Sequence, residues 1–303
     1  MELYDSFALV LPRERLLRNE PMRLHTSFRV GGPADVMFAP AGEEELSLAL
    51  KHAKRLGCPS TVIGNGSNLL VKDGGIRGLV IRLGDAFSET RFEGGDVFVS
   101  PGQSLARLSQ MAMERGLTGL EFASGIPGSV GGAMAMNAGA YQGEMKQVTQ
   151  GARLMDPVSG QVLSCTEEEL CLGYRESRML KTGEIVTRVH LRLQPGDKTE
   201  ILAKMEDFNA RRRDKQPLNY PSAGSTFKRP EGKFAGALIE GAGLKGTRVG
   251  GAQVSEKHAG FIINAGGATA RDILDLIALV QEKVLKDSGV KLETEVRVLG
   301  EDA

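Results

Sequence analysis

The sequence predicts an α+β fold in two domains. Three observations carry that reading: segments of strand period and helix period alternate and end in glycine, two glycine-rich stretches lie about sixty residues apart, and 303 residues suit about two domains. A fourfold scatter of His25, His52, His190 and His258 shows no paired ligand spacing, so no metal is expected.

The opening residues place Leu9, Leu16 and Leu17 at helical intervals and predict a helical lead-in over 1–21. From His25 a short strand-like run ends in the turn Gly31-Gly32-Pro33. Glu43 to Gly57 reads as an amphipathic helix: acids fill its first turn, Leu46, Ala49, Leu50, Ala53 and Leu56 share a stripe, and Gly57 stops it. The strand Ser60-Thr61-Val62-Ile63 follows and runs into Gly64-Asn65-Gly66-Ser67-Asn68-Leu69. Strands are expected at 78–83 and 97–99, and a helix at 104–115 closed by Gly116. Later come a helix over 199–214 with Ile201, Leu202, Met205 and Phe208 inward, and a longer one over 269–288. Thr269 caps that last helix and Gly289 stops it. Alternation then predicts a strand over 290–298, with Val290, Leu292, Thr294, Val296 and Val298 on one face.

Thirty-eight basic and thirty-eight acidic residues cancel, which removes the simplest electrostatic case for nucleic acid or an anionic membrane. Cys58, Cys165 and Cys171 are odd in number and lack metal spacing, so free thiols in a reducing compartment are expected. The apolar run Phe7 to Leu11 is too short for a signal core or a membrane span. A soluble cytoplasmic monomer is the expectation.

Function is concentrated in two glycine stretches. Ser124 to Tyr141 is rich in glycine and alanine and almost uncharged, so its backbone can approach a flat or phosphorylated ligand; a tight buried turn is the alternative. Gly64 to Leu69 could hold a pyrophosphate on its main-chain amides, or could be a type I′ hairpin turned by Asn65-Gly66. A dinucleotide fingerprint fails there, because Leu69 stands where its last glycine belongs.

The motifs become specific in combination. Arg29-Val30-Gly31-Gly32-Pro33-Ala34, Gly64-Asn65-Gly66-Ser67-Asn68-Leu69-Leu70, Gly125 to Gly132 and Asn137-Ala138-Gly139-Ala140-Tyr141 resemble the UDP-N-acetylenolpyruvoylglucosamine reductase family. So do Tyr174-Arg175-Glu176-Ser177, Ser222 to Lys228 and Glu293 to Arg297, in the family's order. The spacing between Arg175 and Ser225 resembles the shorter class, which lacks an inserted tyrosine loop.

That resemblance implies a two-lobed FAD-binding domain of the vanillyl-alcohol-oxidase kind over 22–195, with lobes at 22–83 and 84–195, and a smaller α+β substrate domain over 196–303. It implies FAD bound non-covalently, NADPH as co-substrate, and a nucleotide-sugar enolpyruvyl ether reduced to a lactyl ether for peptidoglycan precursors. By the same resemblance the flavin contacts are Arg29, Gly31, Gly64, Asn65, Gly66, Ser67, Asn68, Leu69, Gly125, Gly128, Ser129, Gly131, Gly132, Ala138 and Gly139. Arg175 would bind the substrate carboxylate and stabilise the enolate, Ser225 would protonate it, and Glu295 would help polarise the enolate or orient the donor. Periodicity alone does not choose Glu295 over Glu293. Tyr174, Lys215 and Lys228 are the expected substrate contacts, with the two lysines also candidate partners of Ser225. The rival readings are a sugar or alcohol oxidase of the same fold, and a nucleotide-binding module without chemistry.

Overall fold

The computed structural model describes residues 2–303. They form two compact units, each drawn from separate pieces of chain. The first takes the segment up to Arg18, Val36–Asn65 and Gly78–Arg212; the second takes Asn19–Asp35, Gly66–Arg77 and Arg213–Ala303. The sequence reading instead has continuous domains meeting at 195/196. Composition does not mark the passages, because three of them fall inside the strands Leu16–Pro21, Pro33–Phe38 and Ile76–Arg82.

The first unit contains helices α1 (Leu3–Ala8), α2 (Glu43–Arg55), α3 (Leu105–Glu114), α4 (Val130–Ala135) and α5 (Arg178–Thr182), and α6 (Lys198–Lys215) as far as Arg212. The helical lead-in is corrected: only α1 is α-helical, followed by a 3₁₀ turn at Arg13–Arg15 and a strand from Leu16. Leu16 is buried and Leu17 exposed, the alternation of a strand rather than the stripe of a helix. The run before Gly31 is likewise a loop, and the strand begins at Pro33 itself. Proline is tolerated there because the first residue of a strand need not donate to the ladder.

A four-stranded sheet has the order Leu16–Pro21, Pro33–Phe38, Ile76–Arg82, Ser60–Ile63. Its last pair is parallel, Ser60 opposite Leu79 through Ile63 opposite Arg82. The Asn65-Gly66 hairpin is therefore absent: Gly66 has φ +65° but Asn65 does not share the left-handed conformation that a type I′ turn requires at both positions. Helix α2 buries Leu46, Ala49, Leu50 and Ala53 in a core with Phe7, Phe38, Leu79 and Ile81. Three glutamates in its first turn and Lys54 and Arg55 in its last complement the helix dipole.

A five-stranded antiparallel sheet runs Val162–Thr166, Thr149–Met155, Ile185–Arg192, Asp96–Val99, Thr90–Glu93. Its central strands bury Leu154, Val189, Leu191, Val97 and Val99 with Leu105 and Leu108 of α3 and Val130 and Met134 of α4. In α6, Ile201 and Met205 are buried as expected, but Leu202 is exposed and Phe208 stacks flat on Tyr141 at 4.5 Å between ring centres.

The second unit contains α7 (Ala235–Gly241) and α8 (Ala270–Ser288) with an antiparallel sheet of Arg248–Val249, Ala252–Val254 and Ile262–Asn264. Leu69–Val71 pairs in parallel with Arg297–Leu299. Helix α8 buries Ile273, Leu276, Ile277, Val280 and Val284. Thr269 and Asp272 form a reciprocal capping box at its start, and Gly289, at φ +69°, ends it. The strand expected over 290–298 is shorter, confined to Arg297–Leu299. Leu292 and Val296 are buried as the alternation requires, while Val298 is exposed.

Leu276→Ala leaves a cavity under a fully buried side chain, so chemical denaturation is expected to show a loss of about 2–5 kcal/mol. Thr269→Ala, which removes one half of the capping box, is expected to cost about 1 kcal/mol in the same assay.

Candidate active site

In the first unit the glycine stretch is built by backbone packing on backbone. Val130 N–H donates to the Gln103 carbonyl and Gly131 N–H to the Pro101 carbonyl, both at 2.8 Å, while Leu105 N–H donates to Gly128 O at 3.0 Å. Ser129 begins α4, and its hydroxyl accepts from Gly132 N–H at 3.5 Å. A Cβ on Gly64 would lie 2.3 Å from that same hydroxyl oxygen, and one on Gly131 would lie 2.8 Å from Pro101 Cβ. Gly128 has φ +128°, open only to glycine. Gly125 faces α6, where an added Cβ would meet Asn209 Oδ1 at 2.5 Å and Arg212 at 3.1 Å.

These contacts explain several glycines without a ligand, yet Gly132 differs. It is exposed, and a Cβ there would meet nothing nearer than the Ser129 hydroxyl at 3.6 Å. The hydroxyl oxygens of Ser124 and Ser100 are buried with no hydrogen-bond partner among the described residues. Buried hydroxyls without partners are uncommon, and here they stand at the start of the glycine stretch and one residue before Pro101. Open backbone plus unsatisfied hydroxyl groups fit a flavin nucleotide.

In the second unit the loops containing Arg29 and Gly66 to Leu69 support each other. Arg29 adopts φ +56°, and Thr26 Oγ1 donates to Val30 O at 2.8 Å across the same turn. Ser27 N–H donates to Gly66 O at 3.2 Å, and a Cβ on Gly66 would stand 1.9 Å from the His25 carbonyl oxygen. Gly31, at φ +123°, closes on Val71. Asn68 ties this loop to a candidate catalytic residue, its side-chain amide donating to the Glu295 carbonyl at 3.1 Å.

The segments that carry Ser225 and Glu295 run side by side. Glu295 N–H donates to Thr226 O at 2.8 Å, Lys228 N–H donates to Glu293 O at 2.9 Å, and Phe227 bridges Thr294. Thr226 is fully buried and receives Ile262 N–H on its hydroxyl, whereas Ser225 is exposed beside Gly224 at φ +75°. Glu295 is half-buried and Glu293 exposed, so burial separates two residues that periodicity left equal. Lys228 Nζ sits 3.5 Å from the Glu293 carboxylate, and Lys215 is exposed at the end of α6.

Arg175 lies in the first unit, at the tip of a tight turn whose ends, Gly173 and Glu176, exchange backbone hydrogen bonds. Its φ is +55°, its Nη1 donates to Asn137 O at 3.4 Å, and its guanidinium carbon sits 5.2 Å from the centre of the Tyr174 ring. Ala138 and Gly139 follow Asn137 directly. Sequence reasoning gave no individual role to Asn137, Tyr141, Asn209 or His258. Tyr141, at φ +52°, carried no signal beyond its motif, and Asn137 none beyond preceding Ala138. Burial lowers the pKa of Arg212, which the sequence shows only as one cation in a run.

Residues 34–166 match an FAD binding domain, and 216–299 match the UDP-N-acetylenolpyruvoylglucosamine reductase C-terminal domain. The UDP-N-acetylenolpyruvoylglucosamine reductase of Alkaliphilus oremlandii is 52% identical across 100% of this chain and 99% of its own. This chain belongs to that family. The reductase of the same name from Clostridioides difficile is 49% identical over 99% of both chains. The crystal structure of the Thermus caldophilus family member is 40% identical with a TM-score of 0.81, covering 94% of this chain and 98% of that one. The two-domain FAD-binding α+β fold, the flavin cofactor and the shorter class expected from the sequence all agree with these family members. Among the described residues no helix is long and apolar enough to cross a membrane.

Gly132→Ala is expected to leave the folding stability of the flavin-free protein unchanged or slightly raised, since alanine suits a helix better than glycine by roughly 0.5–1 kcal/mol. Its flavin absorbance per mole of protein should fall. Retained absorbance would remove Gly132 from the cradle.

His258 offers a pH test. Its Nδ1 accepts Gly260 N–H at 3.1 Å, and Gly260 O in turn accepts Thr226 N–H at 2.9 Å. Burial pushes the imidazole pKa below its ordinary value. Protonation is therefore disfavoured in the folded state, so its contribution is complete above about pH 6.5 and is lost as pH falls toward the lower folded value. Denaturation profiles of the wild type should steepen below about pH 6.5 relative to those of His258→Gln.

Proposed function

We propose that this chain reduces the enolpyruvyl ether of UDP-N-acetylglucosamine to the lactyl ether of UDP-N-acetylmuramate, consuming NADPH and a proton, as a cytoplasmic monomer serving peptidoglycan precursor synthesis. What carries the reading is identity of 52% along the whole chain to a reductase of that name, with the motif residues in ordered positions. When bound, FAD supplies a two-electron carrier between the nicotinamide and the enolpyruvyl group. The residues that would hold it are the backbone at Gly125 to Gly132, Ala138 and Gly139, with Arg29, Gly31 and Gly64 to Leu69.

The protein's own part is electrostatic and protonic. Arg175 pairs its planar fork with the substrate carboxylate, where negative charge grows as a hydride adds to the methylene carbon. Ser225 gives its hydroxyl proton to the neighbouring carbon, completing the lactyl group. Its exposure beside Gly224 leaves that hydroxyl accessible. Glu295 orients the proton donor from the neighbouring segment, its backbone held by Thr226 and Asn68. Lys215 binds the diphosphate and Tyr174 packs on the substrate; Lys228, already beside Glu293, has the weaker claim.

The test is the visible spectrum under anaerobic conditions. NADPH should bleach the flavin band, and the enolpyruvyl nucleotide should restore it. Arg175→Ala and Ser225→Ala should still bleach, with restoration slowed by roughly 10²–10³-fold for the arginine and 10²–10⁴-fold for the serine. A band that bleaches in the wild type and is not restored by that nucleotide would assign the chain to a different flavin chemistry.

A further inference from the structure

The turn that presents Arg175 has little apolar anchorage of its own. Tyr174 is 52% exposed, Glu176 is exposed, and Arg175 holds a left-handed backbone that arginine adopts only at a cost. Two polar ties contribute to holding it. Ser177 is fully buried and donates its hydroxyl to the Ala135 carbonyl at 2.7 Å, while the same oxygen caps α5. Asn137 makes the other. Its Nδ2 donates to the Gly173 carbonyl at 3.0 Å, at the base of the turn, and its backbone carbonyl accepts Arg175 Nη1.

Asn137 is 1% exposed, and its amide is used on both sides: Nδ2 also donates to Glu144 at 3.2 Å, and Oδ1 accepts Lys146 N–H at 2.9 Å. Its φ of +39° is one that asparagine tolerates better than most residues. No other residue type offers two donors, an acceptor and that backbone in so short a side chain. We infer that Asn137 is a positioning residue for Arg175, fixing the turn by its amide and one corner of the guanidinium by its carbonyl, so that the fork is set before the substrate carboxylate arrives. The inference rests on the reading of Arg175 as the carboxylate-binding group.

Asn137→Gly keeps the left-handed backbone and deletes the amide, and Asn137→Asp keeps the shape and deletes the donor to Gly173. Flavin reduction by NADPH and reoxidation by the enolpyruvyl nucleotide would be followed separately by anaerobic stopped flow. Both variants should hold flavin and reduce at the wild-type rate, while reoxidation slows by about 10- to 100-fold. In an Arg175→Ala background, Asn137→Gly should add no further loss, because the two act through one group. Equal slowing of both half-reactions, loss of flavin from both variants, or a full additive loss beside Arg175→Ala would overturn the inference and make Asn137 a residue of the cofactor loop alone. Unaltered reoxidation in Arg175→Ala by itself would overturn the reading of Arg175, and this inference with it.

Discussion

Ser129 stands where several backbone segments of the first unit close on one another, and that contact constrains the rest. Its side chain starts α4, its backbone bridges Ser104, and its hydroxyl occupies the space that a Cβ on Gly64 would need. The residue is 2% exposed, so the close approach is made in a dry interior where neither partner can move aside cheaply. Glycine at 64 follows from it, while Gly131 answers to Pro101 and Gly128 to its own φ of +128°. Each glycine loses more entropy on folding than any other residue, and each is offset by a contact or a backbone conformation that a side chain would forbid.

From that junction the consequences run along the chain. Helix α4 packs Val130 and Met134 into the core of the five-stranded sheet, and its C-terminal end delivers Ala135 and Asn137 to the turn of Arg175. The glycine stretch therefore serves two purposes at its two ends, an open backbone at Gly132 and an anchorage for a charged side chain. In the second unit the same economy recurs without a helix. Asn68 and Thr226 each hold Glu295 through its backbone.

Much of this was legible in the residues. Helices α2, α3 and α8 announce themselves by apolar stripes, caps and terminal glycines, because helix period and capping are local properties. The lead-in failed for the opposite reason: Leu9, Leu16 and Leu17 fit a helical spacing, but burial of Leu16 against α2 draws that segment into a sheet. The Asn65-Gly66 hairpin failed because Ser60–Ile63 finds its partner at Leu79–Arg82 instead, with the chain visiting the second unit between them. A local turn propensity of this kind is outweighed by a strand buried in a sheet.

The sequence by itself determined the family, the α+β class, the flavin and the identity of the candidate catalytic trio, since those are carried by residue types in order along the chain. Tertiary structure alone decided which pieces of chain share a unit, because strands pair by position in space and their partners are distant in number. It also gives Glu293 and Glu295 different surroundings. The two carboxylates share a strand face in the sequence pattern, and only packing leaves one half-buried with its backbone on Thr226 and the other exposed with Lys228. Asn137 belongs to the same class: an asparagine before an Ala-Gly pair is unremarkable until folding brings Gly173 and Arg175 to it, 36 and 38 positions away.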